Sequence, residues 1–282
     1  MGKRLRTALL ITGLLLLTSC SRLELAYRNL DWLIPWSMDN YVTLSNEQKA
    51  WLKPRLITHI GWHCKTQLPA YADWLKRSAT LVTEPQPDAA EFDAQFTQFR
   101  HAVDAVVVQV TPDLTDLLRG LSPAQVKELE ENLAKQNKEQ RQDYLEMSLA
   151  EQIDERAERM EERLQPWFGR LHPEQKTRVL AWSQQLGEYN QGWLDNNLRW
   201  QQAFLAAVQD RNSAQFPEQM KRLLQERMSF WTPAYQQEFL AAQQALSELF
   251  KDLVGSADQQ QRERLVSRLQ GSRKQLSAMT CP

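Results

Sequence analysis

Apolar positions recur three and four residues apart along almost the whole chain, which is the period of amphipathic helices. From Ser21 to Leu33, Leu23, Ala26, Tyr27, Leu30 and either Leu33 or Ile34 share one face, and Pro35 is expected to end the helix. In Leu44-Ser45-Asn46-Glu47-Gln48, Ser45 is a natural N-cap and Gln48 stands at N3, so a capping box opens the next helix. It runs to about Val82 with bends at Pro54 and Pro69. Thr83 to Pro87 is a connector, and Asp88 opens a helix through Val110, kinked near Pro112 and ended by Gly120. Leu121-Ser122-Pro123-Ala124-Gln125 repeats the start signal with Pro at N1, and Leu121 and Val126 suit a hydrophobic staple. That helix is expected to reach Gln165. Its polar stretch Lys135 to Asp143 gives way to a thin apolar stripe of Leu145, Leu149, Ile153, Ala157, Met160 and Leu164. Leu171-His172-Pro173-Glu174-Gln175 is a third copy and leads a helix to about Asp210. Another starts near Phe216-Pro217-Glu218-Gln219 and continues to Val254 with a bend near Pro233, and Ser256 to Gln259 cap a last one ending around Met279. Val106 to Val110 is β-prone but sits inside a helical period. The expected class is all-α, a bundle of about six or seven long, Pro-kinked helices.

Composition agrees. Only nine glycines occur in 282 residues, while Gln, Leu, Ala, Glu and Arg, all good helix formers, dominate. Ten tryptophans are many for this length and call for buried or interfacial sites. Formal charge is −1. Residues 1–19 carry three positive and no negative charges, so the rest of the chain stands near −4. This balance gives no basic footprint for nucleic acid and none for anionic headgroups.

The first twenty residues follow a different pattern. Lys3, Arg4 and Arg6 precede an apolar run from Ala8 to Leu17. That run is shorter than the roughly 20 residues needed to span a bilayer and fits the core of an export signal. Leu17-Thr18-Ser19-Cys20 then resembles the lipobox of bacterial lipoproteins. The resemblance implies a cleaved signal peptide over 1–19 and a single helical periplasmic domain over 20–282. It also implies Cys20 as the mature N-terminus, carrying palmitate-type acyl chains. One chain binds a membrane marginally, at roughly 0.8 kcal/mol per buried CH₂, whereas three hold durably. Ser21, where an Asp would mark inner-membrane retention, implies the outer membrane. With Cys20 taken by lipid, Cys64 and Cys281 form an even pair in an oxidising compartment and are expected to be disulfide-bonded.

Two further resemblances bear on function. The repeated Leu-Ser-x-x-Gln start resembles the LTxxQ motif of small periplasmic chaperones of the Spy type, which are helical cradles for unfolded clients. A staple with a capping box gives the same five-residue pattern on purely local grounds. Tyr27-Arg28-Asn29-Leu30-Asp31-Trp32-Leu33-Ile34-Pro35-Trp36, with Asp39 and Tyr41, resembles the N-terminal signature of a family of uncharacterised proteobacterial outer-membrane lipoproteins. That family implies the location and no reaction.

Candidate chemistry is sparse. Trp182, Leu186, Tyr189, Trp193, Trp200 and Phe204 fall on one helical face. Trp182, Tyr189, Trp193 and Trp200 therefore read either as core or as an apolar groove for lipid or peptide. His59 and His63 are four apart, as zinc ligands on a helix are, but the metalloprotease glutamate is missing and no third ligand is announced. No metal or cofactor is expected. Glu128-Glu130-Glu131 and Glu158-Glu161-Glu162 alternate with Lys and Arg, the pattern of a solvated helix. A carboxylate hydrolase stays open, since pairing in space cannot be read from spacing. The expectation is a lipid-anchored outer-membrane protein that binds envelope proteins or unfolded clients without catalysis. Apolar ligand binding is the alternative.

Overall fold

A computed structural model describes residues 21–281. Cys20 and the expected signal over 1–19 lie outside the described residues, and of Ser21 only its place in a helix is described. The chain is all-helical, with no strand among the described residues. The helices are α1 (Ser21–Arg28), α2 (Leu30–Met38), α3 (Asn46–Leu81), α4 (Ala89–Arg119), α5 (Pro123–Leu145) and α6 (Leu149–Phe168). They continue as α7 (Pro173–Leu186), α8 (Tyr189–Gln209), α9 (Phe216–Gln225), a 3₁₀ turn (Arg227–Phe230), α10 (Pro233–Gly255) and α11 (Gln259–Ser277).

Among the described residues, eleven helices replace the expected six or seven because long periodic stretches are cut by local signals. After Leu145 the chain stops and Ser148 starts again, its backbone N–H donating to Glu151 Oε2 at 2.8 Å in a fourth capping box. Gly187, at φ +50°, separates α7 from α8 in a backbone region open to glycine. The carbonyls left at that break are taken by the buried Arg156 guanidinium, which donates to Ser183 O at 2.9 Å and Gly187 O at 3.0 Å. Thr232 caps α10 by accepting from Tyr235 N at 3.1 Å, so Pro233 opens a helix and does not bend one. Pro35 does not end the first helix either. The break falls at Asn29, whose amide nitrogen donates to Leu25 O at 2.6 Å, and α2 continues through Pro35 to Met38. Pro54, Pro69 and Pro112 all lie inside unbroken helices.

Two apolar cores share one spine. Leu52, Leu56, Ile60, Cys64, Leu68, Ala72, Leu75 and Ala79 of α3 are buried at intervals of four and three residues. Their first half packs with the end of α4, the start of α5, the end of α8 and α9, around Phe216 and Met220. The second half packs with Phe92, α6, α7, α10 and α11, around Val179, Leu249 and Leu253. At 1.5 Å per residue, α3 is about 54 Å long, enough to serve both. Helix α11 lies along α3 and reaches both cores through Leu276. The chain end is bonded to that spine, with Cys64 and Cys281 Sγ atoms 2.05 Å apart across 217 residues of sequence. Next to it, Thr280 Oγ1 donates to Glu24 Oε1 at 3.1 Å, so α1 and the C-terminal tail meet.

The helix starts that repeat in sequence meet in pairs in space. Gln48 and Gln125 exchange amide hydrogen bonds of 3.1 and 2.7 Å. Each also donates to the carbonyl preceding the other's apolar staple residue, Gly120 O at 3.0 Å and Thr43 O at 2.9 Å. Gln175 and Gln261 repeat the exchange at 2.9 and 3.0 Å, with Gln261 donating to Arg170 O at 3.1 Å. The first clasp is half-buried, whereas Gln175 and Gln261 are 1 % and 3 % exposed. The motif glutamines thus cap their own helices and lock two helix starts together.

Candidate functional site

Helix α4 is anchored in one core by Phe92 and in the other by Thr111, Thr115, Leu117 and Leu118. From Asp93 to Val110 it bridges the two, and no residue there is fully buried although ten of the eighteen are Ala, Val or Phe. Phe99 is 57 % exposed, and Val103 and Val108 stand in solvent with it. Phe96 in this stretch still packs on the second core, its ring 5.5 Å from that of Phe250, whereas Phe99, Val103 and Val108 belong to neither core and leave apolar surface open.

Beside this stretch lies a cleft of about 490 Å³, lined by Tyr71 and Trp74 of α3, Phe99, Ala102 and Ala105 of α4, and Leu276 of α11. That volume is within the range of ligand sites, roughly 300–1,000 Å³. The core stripe of α3 runs through Leu68, Ala72, Leu75 and Ala79, which turns Tyr71 and Trp74 to its flank. Trp74 is fixed by donating its indole N–H to Gln95 O at 3.1 Å, and its ring lies 6.4 Å from that of Phe99. Arg77 donates to Gln98 Oε1 at 2.8 Å and forms, with Gln67 and His101, a polar rim. The site is an aromatic floor with hydrogen-bonding edges.

The two histidines share a face of α3 but serve different partners. His59 Nε2 lies 2.7 Å from Asp113 Oδ2, tying α3 to the end of α4. His63 sits between two tyrosines, with Nδ1 3.0 Å from Tyr27 Oη and Nε2 3.2 Å from Tyr71 Oη. Tyr27 donates to Ile60 O at 3.2 Å, so the consistent assignment has His63 Nδ1–H donating to Tyr27 and Nε2 accepting from Tyr71. Burial lowers the His63 pKa and raises those of both phenols, which keeps the chain of three neutral at pH 7. It is a strut holding α1 to α3 next to the cleft. Among the described residues no three His, Cys, Asp or Glu side chains form a metal-sized cluster.

The expected stripe of Trp182, Tyr189, Trp193 and Trp200 is split by the break at Gly187. Trp182 is buried in the second core and its indole N–H has no partner among the described residues. Tyr189 packs on Tyr235, and burial, then the hydrogen bond between the two, pushes the Tyr235 phenol up. Trp193 meets Tyr144 edge-on, and Trp200 donates to Leu223 O at 2.8 Å while stacking on Phe204. These four do not converge on one groove. Tyr71, Trp74 and Phe99 form an aromatic-lined cleft instead. Its trace in the sequence is the apolar run of α4, which is wider than one buried face requires.

Three of the six glutamates in the acidic clusters have partners. Glu128 accepts from Thr43 N at 3.1 Å and Thr43 Oγ1 at 2.6 Å, Glu131 pairs with Lys127, and Glu161 with Lys176. No described helix is long and apolar enough to cross a membrane.

A family model described as a family of unknown function (DUF6279) matches residues 40–236. No curated protein and no solved structure matches the chain. The matched span includes all of α3 to α9 and hence both walls of the cleft.

Proposed function

We propose, from the premise that the chain belongs to the DUF6279 family of unknown function, that it is a lipid-anchored envelope protein whose helical body binds apolar polypeptide segments without catalysis. In this reading residues 1–19 are an export signal, Cys20 carries the acyl chains, and Ser21 directs the protein to the outer membrane. Residues 20–282 then face the periplasm. The positive start, the short apolar run and Leu17-Thr18-Ser19-Cys20 support the anchor. The Cys64–Cys281 bond suits an oxidising compartment.

The observation that carries the binding role is the half-exposed middle of α4 beside the Trp74–Phe99 cleft. An extended segment of an unfolded client or an envelope protein would set apolar side chains against Trp74 and Phe99. Its backbone amides would meet Gln67 and Gln98 at the rim. The alanine-rich wall of the same cleft also suits one acyl chain, which is the second reading. A carboxylate hydrolase is the third reading: Glu128, Glu131 and Glu161 are each engaged by a neighbour, whereas Glu158 and Glu162 line a cleft of about 350 Å³ together with Glu161.

The test is suppression of client aggregation, read by light scattering, with wild type against the Phe99→Glu/Ala102→Glu variant. Wild type is expected to suppress scattering and the variant to lose most of that effect. Equal activity of the two proteins, or none in wild type, refutes the site. Tryptophan emission titrated with an apolar peptide and, separately, with a lysophospholipid discriminates between the two ligands.

A further inference from the structure

Helix α2 is apolar on both sides, yet none of its residues is buried. One side packs on the first core through Leu30, Ile34 and Met38, continuing from Tyr27 of α1. On the other side Trp32 and Trp36 are 63 % and 62 % exposed. Their rings stack 10° from parallel with centroids 6.2 Å apart. At 100° per residue, Pro35 and Leu33 flank the pair, so this outer face carries no charge. The helix's single charged residue, Asp31, points off the face and pairs with Lys53 at 3.9 Å. Leu25 of α1, nearer the start of the described chain, is also largely exposed.

Water is a poor setting for two stacked indoles that have an alternative. Indoles, with an apolar body and one polar N–H, collect at the boundary of hydrocarbon and headgroups. The alternative here is set by where the chain leads. Cys20, the candidate acylated residue, directly precedes α1, so no flexible tether separates the ridge from the attachment point. From Ser21 to Trp36 is fifteen residues, at most about 23 Å at 1.5 Å each along α1 and α2. An acyl group at one end and a tryptophan pair at the other would thus define a line that can lie flat on a bilayer.

We propose that Trp32 and Trp36, with Leu25, form an interfacial ridge that lies in the phospholipid headgroup region and fixes how the body stands on the membrane. The claim rests on the lipid-anchor reading and adds orientation to it. The ridge holds α1 and α2 in the membrane plane. The Tyr27–His63–Tyr71 strut and the Thr280–Glu24 contact then transmit that orientation to α3.

The test uses full-length protein purified from membranes and reconstituted into phosphatidylcholine vesicles with or without acyl chains brominated near the headgroup. Tryptophan quenching is compared between wild type and Trp32→Ala/Trp36→Ala, and the N-terminal peptide is weighed by mass spectrometry. Both tryptophans are exposed, so the variant is expected to fold, which far-UV circular dichroism checks. With the N-terminal residue acylated, quenching in wild type that disappears in the variant supports the ridge. Equal quenching, or none in either, overturns the ridge and leaves the anchor standing. If the protein is not acylated, quenching through Trp32 and Trp36 still supports the ridge while the anchor falls. No acylation and no quenching removes both. Loss of dimerisation in the variant, seen by sedimentation without lipid and unaccompanied by quenching, would assign the ridge to a second copy and overturn the proposal.

Discussion

The buried glutamine clasp gives the sharpest stability prediction, because its two members fail differently alone and together. In Gln175→Leu, His172 N–H loses the acceptor 3.0 Å away that completes its capping box. Gln261 Oε1 loses the donor 2.9 Å away, at a site with almost no access to water. Gln261 Nε2 keeps Arg170 O, so a single orphaned acceptor results. An unmet buried acceptor costs roughly 1–3 kcal/mol and a lost cap about 1 kcal/mol, giving about 2–4 kcal/mol for the substitution. Gln48→Leu breaks the same pattern in the half-buried clasp, where water can replace the bonds, and is expected to cost about 1 kcal/mol or less. The double variant Gln175→Leu/Gln261→Leu removes the orphan along with its partner. It should therefore cost less than the sum of its singles, with a coupling of about 1–2 kcal/mol. Urea unfolding followed by circular dichroism with the disulfide intact measures wild type, the three single variants Gln48→Leu, Gln175→Leu and Gln261→Leu, and the double variant. A Gln175→Leu penalty below about 1 kcal/mol, or strictly additive singles, would refute the argument that the motif glutamines act as a buried pair.

Other expectations follow from single features. Cys281→Ser opens a covalent loop spanning 217 residues, and loop-closure entropy puts the loss at about 5 kcal/mol at most. Reductant should lower the urea midpoint of wild type and leave the variant unmoved. Equal response of both would mean that the bond contributes nothing. His63 has a pKa held below 6.5 by burial, so the unfolded chain binds its proton more readily. That contribution is complete above about pH 6.5 and is lost as pH falls toward the depressed native value. The urea midpoint should drop more between pH 7.5 and 5.5 in wild type than in His63→Gln, and parallel curves would contradict this. Gly187→Ala places a side chain at φ +50° and should cost about 1–2 kcal/mol, with an unchanged melting temperature as the opposing result.

Local signals were legible along the chain wherever neighbours in sequence do the work. Ser45 with Gln48, Ser122 with Gln125, and His172 with Gln175 all open helices where the pattern places them. Cys64 and Cys281 were paired by parity and compartment alone, and they are bonded. The same local reasoning overran at Ser148, Gly187 and Trp231, because apolar periodicity continues across each break. Arg156, from another helix, satisfies the carbonyls at Gly187, and no window of sequence around that glycine contains it.

The candidate site shows the same division. Aromatic spacing put Trp182, Tyr189, Trp193 and Trp200 on one face, but a helical wheel cannot say what covers that face, and four different neighbours do. The apolar middle of α4 was readable as helix. That Phe99, Val103 and Val108 stay uncovered while Phe96 packs on the second core follows only from where the neighbouring helices lie. By itself the sequence determined helix identity, the start signals, the cysteine pair and the absence of strands among the described residues, since these depend on spacing over a few residues or on parity. Tertiary structure decided which glutamines clasp, which aromatics are buried and which remain open. Those outcomes depend on contacts between different helices, 23 residues apart for Trp200 with Leu223 and 77 and 86 for the two clasps, where loop closure and shape, not periodicity, select the partner.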